Sequence, residues 1–239
     1  MSDEQYVEEV TGRAAGAAAE WAAFDRATTD RVTEAISEAA LASASDLARM
    51  AADETGIGVY EDKVWKNEWA ARNVWDDIRG RITVGELRPD DGTGITEIAR
   101  PRGPILAMTP LTNPTSTVIF KCLIAAKTRN PVIFSPHRAA RKCSREAARI
   151  CYEAARAAGA PEHAFQWITK SRKEVVEAVM RHRRIALVLA TGTGDVVTWA
   201  QQSGNPVIGV GPGNVPVYVH DDADPQAAAF GILSSKTFD

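Results

Sequence analysis

Apolar positions in the first eighty or so residues recur at three- and four-residue spacing, whereas beyond residue 100 they gather in short unbroken runs separated by helical stretches. The first pattern is that of amphipathic helices and the second that of strands buried on both faces. Ser2 followed by Gln5 forms a capping box, which predicts an alanine-rich helix to about Ala27. A second helix is predicted from about Thr29 to Ala52, with Val32, Ile36, Leu47 and Met50 inward, until Gly56-Ile57-Gly58 breaks it. In a third, from Glu61 to Ile78, Trp65 and Trp69 lie four residues apart, and Val64, Val74, Trp75 and Ile78 extend one broad apolar stripe. That stripe predicts a helix docked on a core rather than a ligand pocket.

Residues 82–84 and 95–99 are predicted strands joined through the turn composition Pro89-Asp90-Asp91-Gly92. From there strands and helices alternate: strand 105–108, helix 114–127, strand 132–134, helix 139–158, strand 165–168, helix 172–181, strand 185–189, helix 195–203, strands 206–209 and 216–219, and helix 224–236. Such alternation implies crossover connections and a parallel sheet, hence a dinucleotide-binding α/β domain behind an N-terminal helical segment. Asn113-Pro114 opens the helix at 114 as an N-cap followed by proline at the first helical position. Ligands of such sheets bind beyond the carboxyl ends of the strands, where the polar tips 109–113 and 135–138 fall.

With 239 residues, 45% apolar content and 25% charged residues, the chain has enough apolar surface to bury a substantial core. Its net charge of −3 and pI of about 5.9 give no electrostatic reason to expect nucleic acid as a partner. An acidic start, Met1-Ser2-Asp3-Glu4, argues against a signal peptide, and no apolar run reaches the length of a membrane span, so a cytoplasmic protein is expected. Cys122, Cys143 and Cys151 fit neither a CxxC pair nor a zinc set and read as buried structural thiols; the four histidines are scattered, so no metal site is indicated.

Thr109-Pro110-Leu111-Thr112-Asn113-Pro114-Thr115-Ser116-Thr117, Lys127-Thr128-Arg129-Asn130-Pro131 and Phe134-Ser135-Pro136-His137 together resemble the aldehyde dehydrogenase superfamily, most closely its coenzyme A-acylating branch, including the aldehyde dehydrogenase part of bifunctional aldehyde-alcohol dehydrogenases. The resemblance continues through Ala190-Thr191-Gly192-Thr193-Gly194, Gly209-Val210-Gly211-Pro212-Gly213-Asn214 and Ser234-Ser235-Lys236-Thr237-Phe238-Asp239, and is strong over residues 100–239. In the family the nucleophilic cysteine lies a few residues past a Thr-(Phe/Tyr)-Asp-Asn-Gly word, and this sequence reaches only its Asp, so a truncation just before that cysteine is expected. The resemblance therefore implies an aldehyde dehydrogenase-like, Rossmann-type fold, with residues 1–220 as N-terminal helices plus nicotinamide-dinucleotide domain and 221–239 as the start of the catalytic domain.

It also implies the reaction of an aldehyde, coenzyme A and NAD (or NADP) to give acyl-CoA and the reduced cofactor, in a homo-oligomer. Asn113 is the first candidate for an oxyanion donor. A gapless match to the Pro-Trp-Asn-Phe-Pro word of hydrolytic relatives sets Thr112 there instead, which makes it the second. The bland use of Asn113 is an N-cap worth about 1 kcal/mol. Thr109, Pro110, Ser135, Pro136, His137, Gly192, Thr193 and Gly211 are the cofactor-binding candidates; Ser135 stands where hydrolytic members carry a lysine that holds the adenosine ribose. Glycines at 192 and 194 let backbone N–H groups approach a phosphate, although Asp195 would repel bare phosphate. Val210 stands where hydrolytic members carry the glutamate that activates water, and its presence fits acyl transfer to a thiol, which ionises more readily than water. The competing expectations are a hydrolytic aldehyde dehydrogenase, a glutamyl-phosphate reductase-like enzyme, or a non-catalytic cofactor-binding or assembly fragment.

Overall fold

The computed structural model describes residues 1–88 and 92–239, so the predicted turn at 89–92 lies mostly outside the described residues. The N-terminal segment is four helices: α1 (Asp3–Trp21), α2 (Arg26–Ala42), α3 (Ala44–Thr55) and α4 (Tyr60–Ile78). The Ser2–Gln5 capping box forms as predicted, but α1 stops at Trp21 and Asp25 starts the next helix by accepting from the Thr28 N–H at 2.8 Å. The predicted second helix is two, because Ser43 (φ −102°, ψ 6°) bends the chain between α2 and α3. Serines at 43 and 45 are among the weaker helix formers in that stretch.

A two-stranded hairpin follows, β1 (Gly85–Arg88) antiparallel to β2 (Glu97–Ala99). The first strand therefore lies just past the predicted 82–84, since Thr83 is occupied in tying its hydroxyl to the Lys127 carbonyl. The alternating part is β3 (Ile105–Thr109), α5 (Pro114–Lys127), β4 (Val132–Pro136), α6 (Arg141–Ala157), β5 (Phe165–Trp167), α7 (Lys173–Met180), β6 (Leu187–Thr191), α8 (Gly194–Gln201), β7 (Val207–Val210) and α9 (Pro225–Thr237). Strands β3 to β7 form one parallel sheet in the order β5-β4-β3-β6-β7. The predicted strand 216–219 does not form. Val217, Tyr218 and Val219 are exposed, and the segment does not join the sheet, which ends at β7.

Alternate residues of the strands bury opposite faces, as a doubly wound sheet requires. Ile105, Ala107, Val132 and Phe134 pack under α2, α4, α5 and α6, where the ring of Trp21 meets Phe165 edge-on at 5.8 Å. Leu106, Ile133 and Val188 pack against Val7 and Val10 of α1 and Val175 and Val179 of α7. The Lys-Thr-Arg-Asn-Pro word does structural work beneath this sheet. Arg129 (φ 58°) donates to the carbonyls of Ala22 and Phe24 as well as Thr83 and Ala99, and the Asn130 side chain accepts from the N–H groups of Arg102 and Gly103 at 2.7 and 2.9 Å. Helix packing, hairpin and sheet are thereby stitched at one point.

Helix α4 docks by only part of the predicted stripe: Val74 and Ile78 pack against the core, but the two tryptophans at its start face away from it. Trp65 and Trp69 are 54% and 48% exposed, while Lys63, Asn67, Ala70 and Ala71 are buried. The buried face is polar because it meets the 112–115 turn: the Asn67 side chain accepts from the Thr115 hydroxyl at 2.8 Å and donates to the Ala44 carbonyl at 3.0 Å.

Candidate active site and cofactor cleft

Four strands end together and deliver their turns to one place. Thr109 and Pro136 are register partners at the carboxyl ends of β3 and β4, and Thr191 pairs with Val210 at the ends of β6 and β7. The sheet order changes direction between β3 and β6, and a cavity of about 870 Å³ opens above that point. Its wall contains Thr109, Pro110, Thr112 and Asn113 after β3, and Ser135, Pro136 and His137 after β4. Gly192 and Thr193 after β6, with Val210 and Gly211 after β7, complete it, so the structure gathers all ten sequence-predicted site residues on one surface.

Two features shape the cleft for a ligand. Thr109 lines the cavity, and its hydroxyl is buried with no hydrogen-bond partner among the described residues, a cost that a polar group reaching it would relieve. The turn between β6 and α8 is drawn close to β7. The Gly192 N–H donates to the Val210 carbonyl at 3.1 Å, and a Cβ on Gly209 would come within 2.5 Å of Val197 Cγ1. Burial, with Arg138 and Arg141 nearby, pushes the His137 imidazole below its ordinary value, and its Nδ1 accepts from the Ala139 N–H at 3.2 Å. Both observations favour the neutral imidazole of His137 over a phosphate-binding cation. These features suit a dinucleotide, whose ribose hydroxyls and phosphates need donors and close backbone approach.

Asn113 does not behave as an N-cap. It has φ −130° and ψ 58° and makes no side-chain cap bond to α5. Instead its Oδ1 accepts from Lys66 Nζ at 3.1 Å, and its Nδ2 donates to the Thr112 hydroxyl at 3.3 Å. The Thr112 carbonyl accepts from Lys63 Nζ at 3.0 Å. Both lysines also bind the Asp239 carboxylate, which is 1% exposed. Burial alone would raise that carboxyl, but the hydrogen bonds and charges of Lys66 and Lys63 hold it below its ordinary range. Gly58 (φ +80°) makes room for it, since a Cβ there would collide with the carboxylate.

A third lysine lies directly beneath the cavity. Lys121 on α5 is 1% exposed and donates to the carbonyls of Met108 (2.7 Å) and Leu189 (3.0 Å), joining β3 to β6 at the point where the sheet order reverses. Burial pushes its pKa down to about 7. The three lysines, together with Lys173 and Trp199 in the cavity wall, were not among the sequence-predicted site residues. The signal for Lys121 was a charged residue in the middle of the apolar helix 118–126, and that for Lys63 and Lys66 was a polar stripe with Asn67 at helical spacing.

The cysteines are structural, as predicted. All three are buried and free. Burial, with Cys151 alongside, raises the Cys122 thiol well above its ordinary value, and burial with contact to Glu54 pushes Cys143 up to about 12. Neither of these two carries the low pKa of a nucleophile.

The strand order and a cleft at the switch point define a Rossmann-type architecture. Residues 1–239 match the model of the aldehyde dehydrogenase family, and the chain belongs to that family. It is 49% identical over 203 residues to an aldehyde-alcohol dehydrogenase of Streptococcus pneumoniae, covering 85% of this chain and 23% of that protein. Among solved structures, an acetylating aldehyde dehydrogenase from Geobacillus thermoglucosidasius superposes with a TM-score of 0.95 at 44% identity, covering 99% of this chain and 52% of the other. A propionaldehyde dehydrogenase of Rhodopseudomonas palustris, solved with bound CoA and an acylated cysteine, gives 0.85 at 30% identity over 97% of this chain and 53% of the other. The chain thus spans about half the length of the solved relatives and about a quarter of the bifunctional one.

Proposed function

We propose that this chain is the nicotinamide-dinucleotide-binding part of a coenzyme A-acylating aldehyde dehydrogenase, with residues 221–239 leading into its catalytic domain. The observation that carries the reading is the wall of the cleft: Val210 stands beside Gly211 at the end of β7, where the resemblance sets the water-activating glutamate of hydrolytic enzymes. Without a base there, an acyl thioester is left for a better-ionised acceptor, the thiol of coenzyme A. Thr109, Ser135, His137, Gly192, Thr193 and Gly211, with Pro110 and Pro136 shaping the wall between them, would hold NAD or NADP, and the unpartnered Thr109 hydroxyl fits that role. When bound, the nicotinamide would accept hydride from the aldehyde carbon. Asn113, with Thr112 as the second candidate, would donate to the oxyanion that forms as a thiolate adds to the aldehyde. Three buried thiols suit a reducing, cytoplasmic compartment, and a homo-oligomer completes the proposal.

Product analysis tests it. The full-length enzyme carrying this segment, supplied with acetaldehyde, NAD+ and saturating coenzyme A, is expected to release acyl-CoA, and without coenzyme A very little free acid. Val210→Glu is expected to raise the free-acid share. Free acid as the main wild-type product at saturating coenzyme A would favour the hydrolytic alternative, and no turnover at all would favour a cofactor-binding module.

A further inference from the structure

Two lysines one turn apart on α4 grip the turn that presents Asn113. Lys66 Nζ donates to Asn113 Oδ1 at 3.1 Å and Lys63 Nζ donates to the Thr112 carbonyl at 3.0 Å, so side chain and backbone of the same turn are both held from one helix face. An ammonium group has donors and no acceptor, so it can bind only the oxygen end of an amide. Asn113 is further distinguished by what it lacks: its side chain makes no cap bond with α5, and its nitrogen has only a 3.3 Å contact with the neighbouring Thr112 hydroxyl. The Asp239 carboxylate fixes the two lysines in turn, at 2.7 Å from Lys66 and 3.0 Å from Lys63, and the N–H of Val59 donates to it at 2.9 Å. Asp62, on the same helix, accepts from the Asp239 N–H at 2.9 Å, so the two ammonium groups face two carboxylates and their hold on the turn is one of hydrogen-bond geometry.

We propose that Lys66 is a positioning residue that sets which end of the Asn113 amide is available to the cleft, taking the oxygen and leaving the nitrogen as the donor, while Lys63 fixes the backbone from which that amide projects. The inference rests on the reading of Asn113 as the oxyanion donor. A donor aimed in advance stabilises developing charge without reorganising, whereas an amide that rotates freely presents its oxygen, which repels an oxyanion, for part of the time.

The test uses the full-length enzyme carrying this segment and four variants: Lys66→Met, Lys66→Arg, Asn113→Ala and Lys66→Met with Asn113→Ala. Lys66→Met is expected to lower kcat about ten- to a hundredfold, as misplacement of a reacting group by about 1 Å does, with KM for NAD+ nearly unchanged. Lys66→Arg, which keeps a charged donor, should recover most of that loss. In the Asn113→Ala background Lys66→Met should lower kcat no further, because its effect passes through the amide. A merely structural Lys66 would lower the melting temperature without this dependence on Asn113. If Asn113→Ala lowers kcat but Lys66→Met does not, or if the two losses multiply in the double variant, the positioning role is overturned while the oxyanion reading stands. If Asn113→Ala leaves kcat intact, the oxyanion reading fails and the positioning role falls with it.

Discussion

Thr109 shows how one side chain separates the demands of folding from those of binding. Its hydroxyl is buried at the end of β3 with no partner among the described residues, so in the free protein it carries a desolvation cost with no hydrogen bond to offset it. Thr109→Val is nearly isosteric and removes that cost. Thermal unfolding should show the variant as stable as the parent or slightly more so, while calorimetric titration with NAD+ should show weaker binding; destabilisation with unchanged affinity would assign Thr109 to the fold alone. Asn113 carries the opposite lesson. Asparagine before proline at a helix start is the ordinary signature of a cap, and position and helix start were legible from it, but the structure gives its oxygen to Lys66 instead. That partner lies 47 residues away in sequence, and no local pattern connects the two.

The elements around the cleft were legible wherever period and burial agreed. Strands 105–109 and 132–136 and helix 114–127 have apolar runs bounded by turn residues, and these form close to the predicted limits. In helix α4 Val74 and Ile78 pack inward as predicted, but its first half is turned the other way, because two tryptophans outweigh two lysines on any hydrophobic count, whereas the turn and carboxylate that satisfy the lysines come from distant segments. Lys121 ties β3 to β6 across the switch point with a pKa near 7 instead of its ordinary 10.5. The depressed value means that between these two pKa values the unfolded chain holds a proton the folded chain has shed, so stability from this group is lowest below about pH 7 and rises as pH increases towards 10.5. Denaturant unfolding compared with Lys121→Met should show the parent gaining on the variant above pH 7, by on the order of 1 kcal/mol per pH unit at most. A gap independent of pH would contradict a neutral amine in the fold. The contact between α8 and β7 gives a second test. Gly209→Ala places a Cβ 2.5 Å from Val197 Cγ1 and should destabilise by about 1–3 kcal/mol, and adding Val197→Ala should return most of that loss; equal melting temperatures for parent and Gly209→Ala would show that the helix shifts freely.

At the scale of the whole molecule, the alternation of strands and helices made the parallel sheet and its ligand-bearing edge legible. The reversal of strand order between β3 and β6 was not, because it depends on which way each crossover turns. The strand predicted at 216–219 was misread for a related reason: Val215, Val217 and Val219 have strand propensity, but propensity does not determine whether a segment joins the sheet, which ends at β7. Together with Phe230 and Leu233 of α9, 72% and 61% exposed, they form apolar surface on a chain that spans about half the length of its solved relatives. The cleft, by contrast, is assembled within residues 108–213. This division predicts that the 239-residue polypeptide separates binding from chemistry. Purified by itself, it should raise its melting temperature with increasing NAD(H), as any ligand selective for the native state must cause. It should nonetheless produce no NADH from acetaldehyde and coenzyme A, because Cys122, Cys143 and Cys151 are all buried and the first two thiols are pushed away from the thiolate. NADH formation abolished by Cys122→Ala would show that a buried thiol reaches the cleft. A folded chain with no thermal or calorimetric response at millimolar NAD(H) would instead remove the cofactor assignment from the cavity above β3 and β6.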